Sequence, residues 1–189
     1  QVLTPTRRGD AGTRSLNFAL QAALNPPKPG KQERRFGELI FREGDRVMQT
    51  RNDYDVVWQK EDGTAGTGIF NGDVGKIAKI DPSGELLEIV FDDRTATYTS
   101  DMLAELDMAY AMTVHKAQGS EYRGVVFVGA PCAPSLMVRG VLYTAITRAR
   151  ELLVIVGDDS AVNKMAENDR RSRRYSGLKW RLRKGGEEK

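Results

Sequence analysis

Two runs of residues hold side chains fit for contact with phosphates and sugars. The first is Thr113-Val114-His115-Lys116-Ala117-Gln118-Gly119-Ser120-Glu121, in which a hydroxyl, an imidazole and an ammonium fall within four residues. All three donate hydrogen bonds of the kind a phosphodiester accepts, and Lys116 adds charge. Gly119 permits close backbone approach or a positive φ, and Glu121 is an acceptor suited to sugar hydroxyls. Taken singly, each residue also fits a polar turn capped by a threonine; the length of the whole string argues against that reading. The second run is Tyr143-Thr144-Ala145-Ile146-Thr147-Arg148-Ala149-Arg150. Arginine at a helix end complements the helix dipole, and Arg150 fits that use.

Both runs adjoin apolar, β-branched stretches, residues 125–128 and 152–156. Polar chemistry at the ends of buried strands is where α/β proteins place their sites. Residues 109–112 read as the strand that delivers Thr113, and 125–129 as the next. Residues 138–149 form a helical stripe, followed by a strand over 152–157. Strand, helix, strand with short joins predicts a right-handed βαβ unit in a parallel sheet. Val2-Leu3 opens as a further strand ending at Thr4-Pro5. Leu16, Ala19, Leu20, Ala23 and Leu24 give residues 15–24 a helical apolar stripe, capped by Thr13 or Ser15 and stopped at Asn25-Pro26-Pro27. Residues 28–35 read as a polar linker.

Between the helix and Thr113 the pattern turns β-rich. Residues 46–50, 74–80, 86–91 and 95–98 read as short strands, with Asp81-Pro82-Ser83-Gly84 and Asp92-Asp93-Arg94 as turns. Leu87, Ile89 and Phe91 share one strand face, and Ala96 and Tyr98 another. Gly75 marks a bulge in a poorly alternating strand, and residues 61–68, with three glycines, read as a loop. Such strands predict a small barrel of the SH3 kind inserted into the α/β fold.

At 189 residues the chain fits one domain carrying a small insert. A single cysteine, Cys132, excludes an internal disulfide and a Cys-based metal site and fits a reducing, cytoplasmic setting. One histidine makes a His-rich metal site a poor reading, and no metal ligand is assigned. No apolar run approaches the roughly 20 residues that span a bilayer. Residues 164–189 hold ten Lys/Arg against four Asp/Glu, a net +6 in a chain of +3. That tail either attracts phosphates or serves as a solvated end. Gln1-Val2-Leu3-Thr4 begins a strand abruptly with no initiator Met, as expected of a piece of a longer polypeptide.

The Thr113–Glu121 string, with Arg148 in Thr-Arg-Ala, resembles the DNA- and nucleotide-contacting motifs of superfamily 1 helicases, in their RecD-like (exodeoxyribonuclease V α-subunit-like) branch. Gln118 matches that branch. So do Thr4-Pro5 with Gly9, Gly12, Leu16-Asn17 and Leu24-Asn25-Pro26, and, in the insert, Asn71-Gly72-Asp73-Val74-Gly75 with Phe91-Asp92-Asp93. The resemblance implies a RecA-like (P-loop NTPase-type) parallel-sheet domain interrupted by an SH3-like β-barrel. It divides the chain into 1–64 and 107–160 (the RecA-like domain), 65–106 (the insert) and 161–189 (the basic tail). It implies that Thr4, Thr113, His115 and Lys116 contact the backbone of single-stranded DNA. Gln118, Gly119 and Glu121 would then lie by bound ATP, and Arg148 would be the catalytic finger on the γ-phosphate. A guanidinium suits developing charge on phosphoryl oxygens because it is planar and donates in parallel.

The chain lacks the other half of such a motor. Gly75-Lys76 ends like a Walker A motif, but Phe70 stands where the motif needs its first glycine and Ile77 where it needs Ser/Thr. ATP with Mg²⁺ would therefore be held mainly by an N-terminal RecA-like domain of the same polypeptide. The implied activity is ATP-dependent 5′-to-3′ DNA unwinding in recombination and repair, with this segment inactive alone. Subunits of a nuclease–helicase complex are further implied partners. A non-catalytic DNA-binding adaptor and a conjugative relaxase are alternatives separable by what lies upstream, and an RNA-acting helicase is a third that the motifs admit.

Overall fold

The computed structural model describes residues 1–170. From residue 171 onward the expected basic tail lies outside the described residues. The chain enters on β1 (Val2–Thr4) and passes through a loop into α1 (Thr13–Leu24). A hairpin follows, β2 (Glu33–Phe36) and β3 (Leu39–Arg42). Next come β4 (Arg46–Gln49), β5 (Asp53–Gln59), β6 (Ala65–Ile69), β7 (Val74–Ile80), β8 (Leu86–Phe91) and β9 (Arg94–Thr99). A 3₁₀ turn over Met102–Glu105 leads to β10 (Leu106–Met108). The chain then runs through β11 (Ala111–Thr113), β12 (Tyr122–Gly129), α2 (Arg139–Ile146), β13 (Ala149–Gly157) and α3 (Asp159–Glu167).

These elements build an α/β fold of two main sheets. The first is parallel, in the order β11-β1-β12-β13. Its strands are separated in sequence because parallel pairing requires crossovers. Leu3, Met112, Val125 and Phe127 of this sheet pack with Val141, Leu142 and Ala145 of α2 and Met165 of α3. The expected βαβ unit is therefore present, with β13 starting at Ala149 rather than 152. Arg150 accordingly lies in a strand, not at a helix C-terminus, because α2 already ends at Ile146. Among the described residues no helix is long and apolar enough to cross a membrane.

The second sheet is antiparallel, in the order β10-β4-β7-β8-β9-β5-β6. Leu87, Ile89, Phe91, Ala96 and Tyr98 are buried as their alternation predicts, together with Phe41, Val47, Ile77 and Ile80. No ladder joins β6 to β10 among the described residues, so the expected barrel is an open seven-stranded sheet. Two residues after β10 the chain enters β11 of the parallel sheet, which ties that edge to the junction. The sheet also draws in β4, β5 and β10, strands that lie partly or wholly outside residues 65–106.

Three local expectations change. The 61–68 loop is shorter than expected, since β6 begins at Ala65 and pairs with β5. The 28–35 linker gives way to β2 at Glu33. The irregularity in β7 falls between Ile77 and Lys79 rather than at Gly75. Gly75 serves packing: a Cβ there would stand 2.8 Å from Ile89 Cγ2 and from Phe91 Cδ1.

Helix α1 joins the two sheets, and its innermost face is polar. Asn17, Gln21 and Asn25 are buried, while Ala19, Ala23 and Leu24 of the expected apolar stripe are exposed and Leu16 and Leu20 are half-buried. Asn17 Nδ2 donates to the carbonyls of Met108 (3.1 Å) and Ala111 (2.9 Å), and its Oδ1 accepts from Ala111 N–H (2.8 Å). Gln21 and Asn25 each donate to the Asp45 carboxylate at 2.6 Å. Asp45 also accepts from Arg42 N–H and the Tyr110 hydroxyl. Where the chain crosses between sheets at 108–111, backbone groups lack ladder partners, and buried backbone groups must be paired. Asn17 meets that demand with both ends of its amide, where a leucine could not. No side chain caps α1; Gly12 is the N-cap, and Ser15 donates instead to the Gly9 carbonyl.

Candidate functional site

The site lies at the carboxyl ends of β1 and β11, whose register sets Thr4 beside Thr113. Beyond them the chain makes a series of tight turns. Thr113 O accepts from Ala117 N–H, His115 O from Gln118 N–H, and Ala117 O from Ser120 N–H, at 3.1–3.3 Å. Val114 and Ala117 point into the core and anchor the loop. His115, Gln118, Gly119, Ser120 and Glu121 are thereby turned to solvent. Gly119 takes φ +87°, a conformation that disfavours any Cβ.

Each expected residue has a definite place. Thr113 Oγ1 accepts from Lys116 N–H at 3.3 Å, so its O–H remains able to donate. His115 and Gln118 make no side-chain hydrogen bond among the described residues. Lys116 is half-buried, and its Nζ donates to Asn71 Oδ1 at 3.4 Å. Burial, then the nearby Arg7, holds its pKa below the ordinary lysine value, with Asp107 opposing. Thr4 departs from expectation. It is 0% exposed, and its hydroxyl donates to the Ala11 carbonyl at 2.7 Å. Its side chain fastens the 5–12 loop and is not presented to a ligand.

Arg148 approaches the same loop from the end of α2. Its Nε donates to Thr144 O at 3.2 Å, one terminal nitrogen to Ser120 O at 3.0 Å, and the other to Thr147 Oγ1 at 3.1 Å. These three acceptors are neutral, and a guanidinium has five N–H groups, so two donors and the full charge remain available. No carboxylate lies within 4.0 Å of it among the described residues. Glu121, next to Ser120, pairs instead with Arg150 at 2.7 Å. That pair is solvent-exposed, and such pairs contribute about 0–1 kcal/mol, so Glu121 is readily exchanged to another partner. Thr113 and Lys116 thus stand at the carboxyl end of β11, while Gly119, Glu121 and Arg148 stand at the other end of the same loop, where it enters β12 beside the start of β13.

Sequence reasoning gave no through-space role to Asn71, Arg7 or Asn17. Asn71 belongs to a turn whose composition was legible, but its contact with Lys116 spans 45 residues of sequence. Beside Lys116, Arg7 and Phe18 help line a groove of about 770 Å³ between α1 and the antiparallel sheet.

Comparison with known proteins gives concordant matches. A family model described as the ATP-dependent RecD-like DNA helicase SH3 domain matches residues 16–91. A second, the UvrD-like helicase C-terminal domain, matches residues 108–156. The chain is 38% identical over 173 residues to the ATP-dependent RecD2 DNA helicase of Deinococcus radiodurans, covering 92% of this chain and 22% of the relative. It is 30% identical over 189 residues to the RecBCD enzyme subunit RecD of Mycolicibacterium smegmatis, covering 98% of this chain and 30% of that one. The chain therefore spans less than a third of these relatives' length. Among solved structures, the fold resembles Bacteroides Pif1 bound to single-stranded DNA, with a TM-score of 0.55 and 17% identity, covering 98% of this chain and 45% of the other. The complex of Bacteroides Pif1 with ADP-AlF3 and single-stranded DNA gives a TM-score of 0.53 at 16% identity, covering 100% and 46%.

Proposed function

Because this chain belongs to the RecD-like branch of the superfamily 1 DNA helicases, we propose that it is the C-terminal motor region of an ATP-dependent 5′-to-3′ DNA helicase acting in recombination or repair in the cytoplasm. In this reading residues 1–64 and 107–160 make the second RecA-like domain and residues 65–106 the insert. Thr113, His115 and Lys116 grip the phosphates of single-stranded DNA. Gln118, Gly119 and Glu121 face the nucleotide, and Arg148 reaches toward its γ-phosphate. Thr4 supports the loop beside them. The partners are single-stranded DNA, an N-terminal RecA-like domain of the same polypeptide, and subunits of a nuclease–helicase complex such as the mycobacterial relative is named for.

The observation that carries this reading is the posture of Arg148. Its guanidinium is oriented by the carbonyls of Ser120 and Thr144 and by the Thr147 hydroxyl, and it keeps two donors free. A cation held by neutral groups costs little reorganisation when it meets developing negative charge, which is the condition for strong electrostatic catalysis. Bound ATP with Mg²⁺ supplies the phosphoryl group; the donors present here suit its terminal phosphate, while a P-loop is absent from this sequence. The contact between Arg148 and Ser120 also joins the α2 end to the loop bearing His115 and Lys116. Through that joint a change at one set of phosphates alters the grip on the other.

Arg148→Ala in the full-length protein tests the reading. ATP turnover should fall by roughly 10³–10⁵-fold, the range for arginine fingers elsewhere, while affinity for single-stranded DNA stays within about twofold. Near-normal turnover in that variant would contradict the assignment.

A further inference from the structure

Next to the phosphate-gripping loop stands a pair of aromatic rings that the proposed function leaves unused. Tyr54, near the start of β5, and Phe70, directly after β6, meet edge to face with centroids 5.6 Å apart and planes at 72°. They are 66% and 40% exposed, and neither belongs to the core of the antiparallel sheet. An edge-to-face pair leaves ring faces open on both partners.

The pair is held in place by its surroundings. Phe70 N–H donates to Asp73 Oδ2 at 3.1 Å, and Phe70 O accepts from Asp73 N–H at 2.9 Å. Asn71 N–H donates to Asn52 Oδ1 at 2.9 Å, tying the Phe70 turn to the segment that leads into Tyr54. Gly68 sits at φ +98°, and a Cβ on it would come to 3.0 Å from Phe70 Cζ. Asn71, the neighbour of Phe70, takes the Lys116 ammonium at 3.4 Å. Lys116 has Arg7 close by, and the counter-charge at that spot is Asp107, 4.0 Å from Arg7. A rigid, exposed aromatic pair thus adjoins two cations that share one carboxylate.

Cations that track a backbone beside rings that accept bases are the combination by which proteins hold single strands without reading sequence. We propose that Tyr54 and Phe70 form a base-stacking platform for the strand of single-stranded nucleic acid whose phosphates lie on His115 and Lys116. The proposal rests on the phosphate-binding reading of that loop and adds a second, uncharged component to it.

The two components separate experimentally. The full-length protein is titrated by fluorescence anisotropy with an oligothymidylate of about 12 nucleotides, within the usual span of single-strand sites, and with an abasic strand of equal length. The abasic strand keeps every phosphate and lacks every base. The wild-type protein should prefer the oligothymidylate by about tenfold or more. Tyr54→Leu and Phe70→Leu, which keep apolar bulk and lose the π face, should each weaken oligothymidylate binding about tenfold. Abasic binding and the salt dependence should not change. Lys116→Ala should weaken both probes alike. If the Leu variants bind oligothymidylate as wild type does, or lose both probes equally, the platform is overturned while the loop's reading stands. If wild type binds neither probe, both fall together. Tyr54 is the more exposed ring, so its variant carries the test should Phe70→Leu fold poorly.

Discussion

Lys116 illustrates how a residue proposed to hold phosphate can work against the fold that carries it. Its folded pKa lies below the ordinary lysine value, first through burial and then through Arg7. In the pH window just under that ordinary value the unfolded chain binds more protons than the folded one, so stability rises with pH there. At neutral pH the charged ammonium is a net cost to folding. Lys116→Met should therefore leave Tm unchanged or raise it. The same variant should weaken single-strand binding and reduce the salt slope by about one. A fall in Tm on calorimetry, or an unchanged slope, would contradict this. Thr4 makes the opposite point: the family resemblance implied a phosphate contact, yet its hydroxyl is consumed by the Ala11 carbonyl. Which acceptor a hydroxyl finds depends on a loop path that sequence spacing does not encode.

At the scale of elements, what was legible in the sequence is what depends on local alternation. Leu87, Ile89 and Phe91 face inward because a strand places every second side chain on one face, and the Thr113 string stands at a strand end because apolar residues precede it. The orientation of α1 was not legible. Its leucines and alanines predict an apolar contact, but the face that is buried is set by unpaired backbone at 108–111 and by Asp45, both far away in sequence. Asp45 is fully buried and accepts from four donors. Asp45→Ala would strand those donors, each at a cost of about 1–3 kcal/mol. The expected destabilisation is on the order of 3–5 kcal/mol, measured by urea unfolding. A loss below about 1 kcal/mol would show that the junction tolerates the vacancy. The open antiparallel sheet was also out of reach, because strand count alone does not say whether the last strand meets the first.

Across the whole molecule, the sequence divides into an α/β part and a β-rich insert, and the two family matches, over residues 16–91 and 108–156, lie on either side of the insert's end. Helix α1 cuts across it. Asn17 on this helix grips the strand that leads to Thr113, while Gln21 and the C-cap Asn25 grip Asp45 in the turn before β4, 24 and 20 residues farther along the chain. A rod fastened at both ends in this way leaves neither sheet free to melt alone. Heating should then yield one calorimetric peak, with calorimetric and van't Hoff enthalpies in agreement. Asn17→Ala, which releases one end, should split or broaden that peak, and two separate peaks in the unaltered chain would refute the coupling. On that prediction the β-rich stretch, for all its independent appearance in the sequence, unfolds together with the α/β part rather than apart from it.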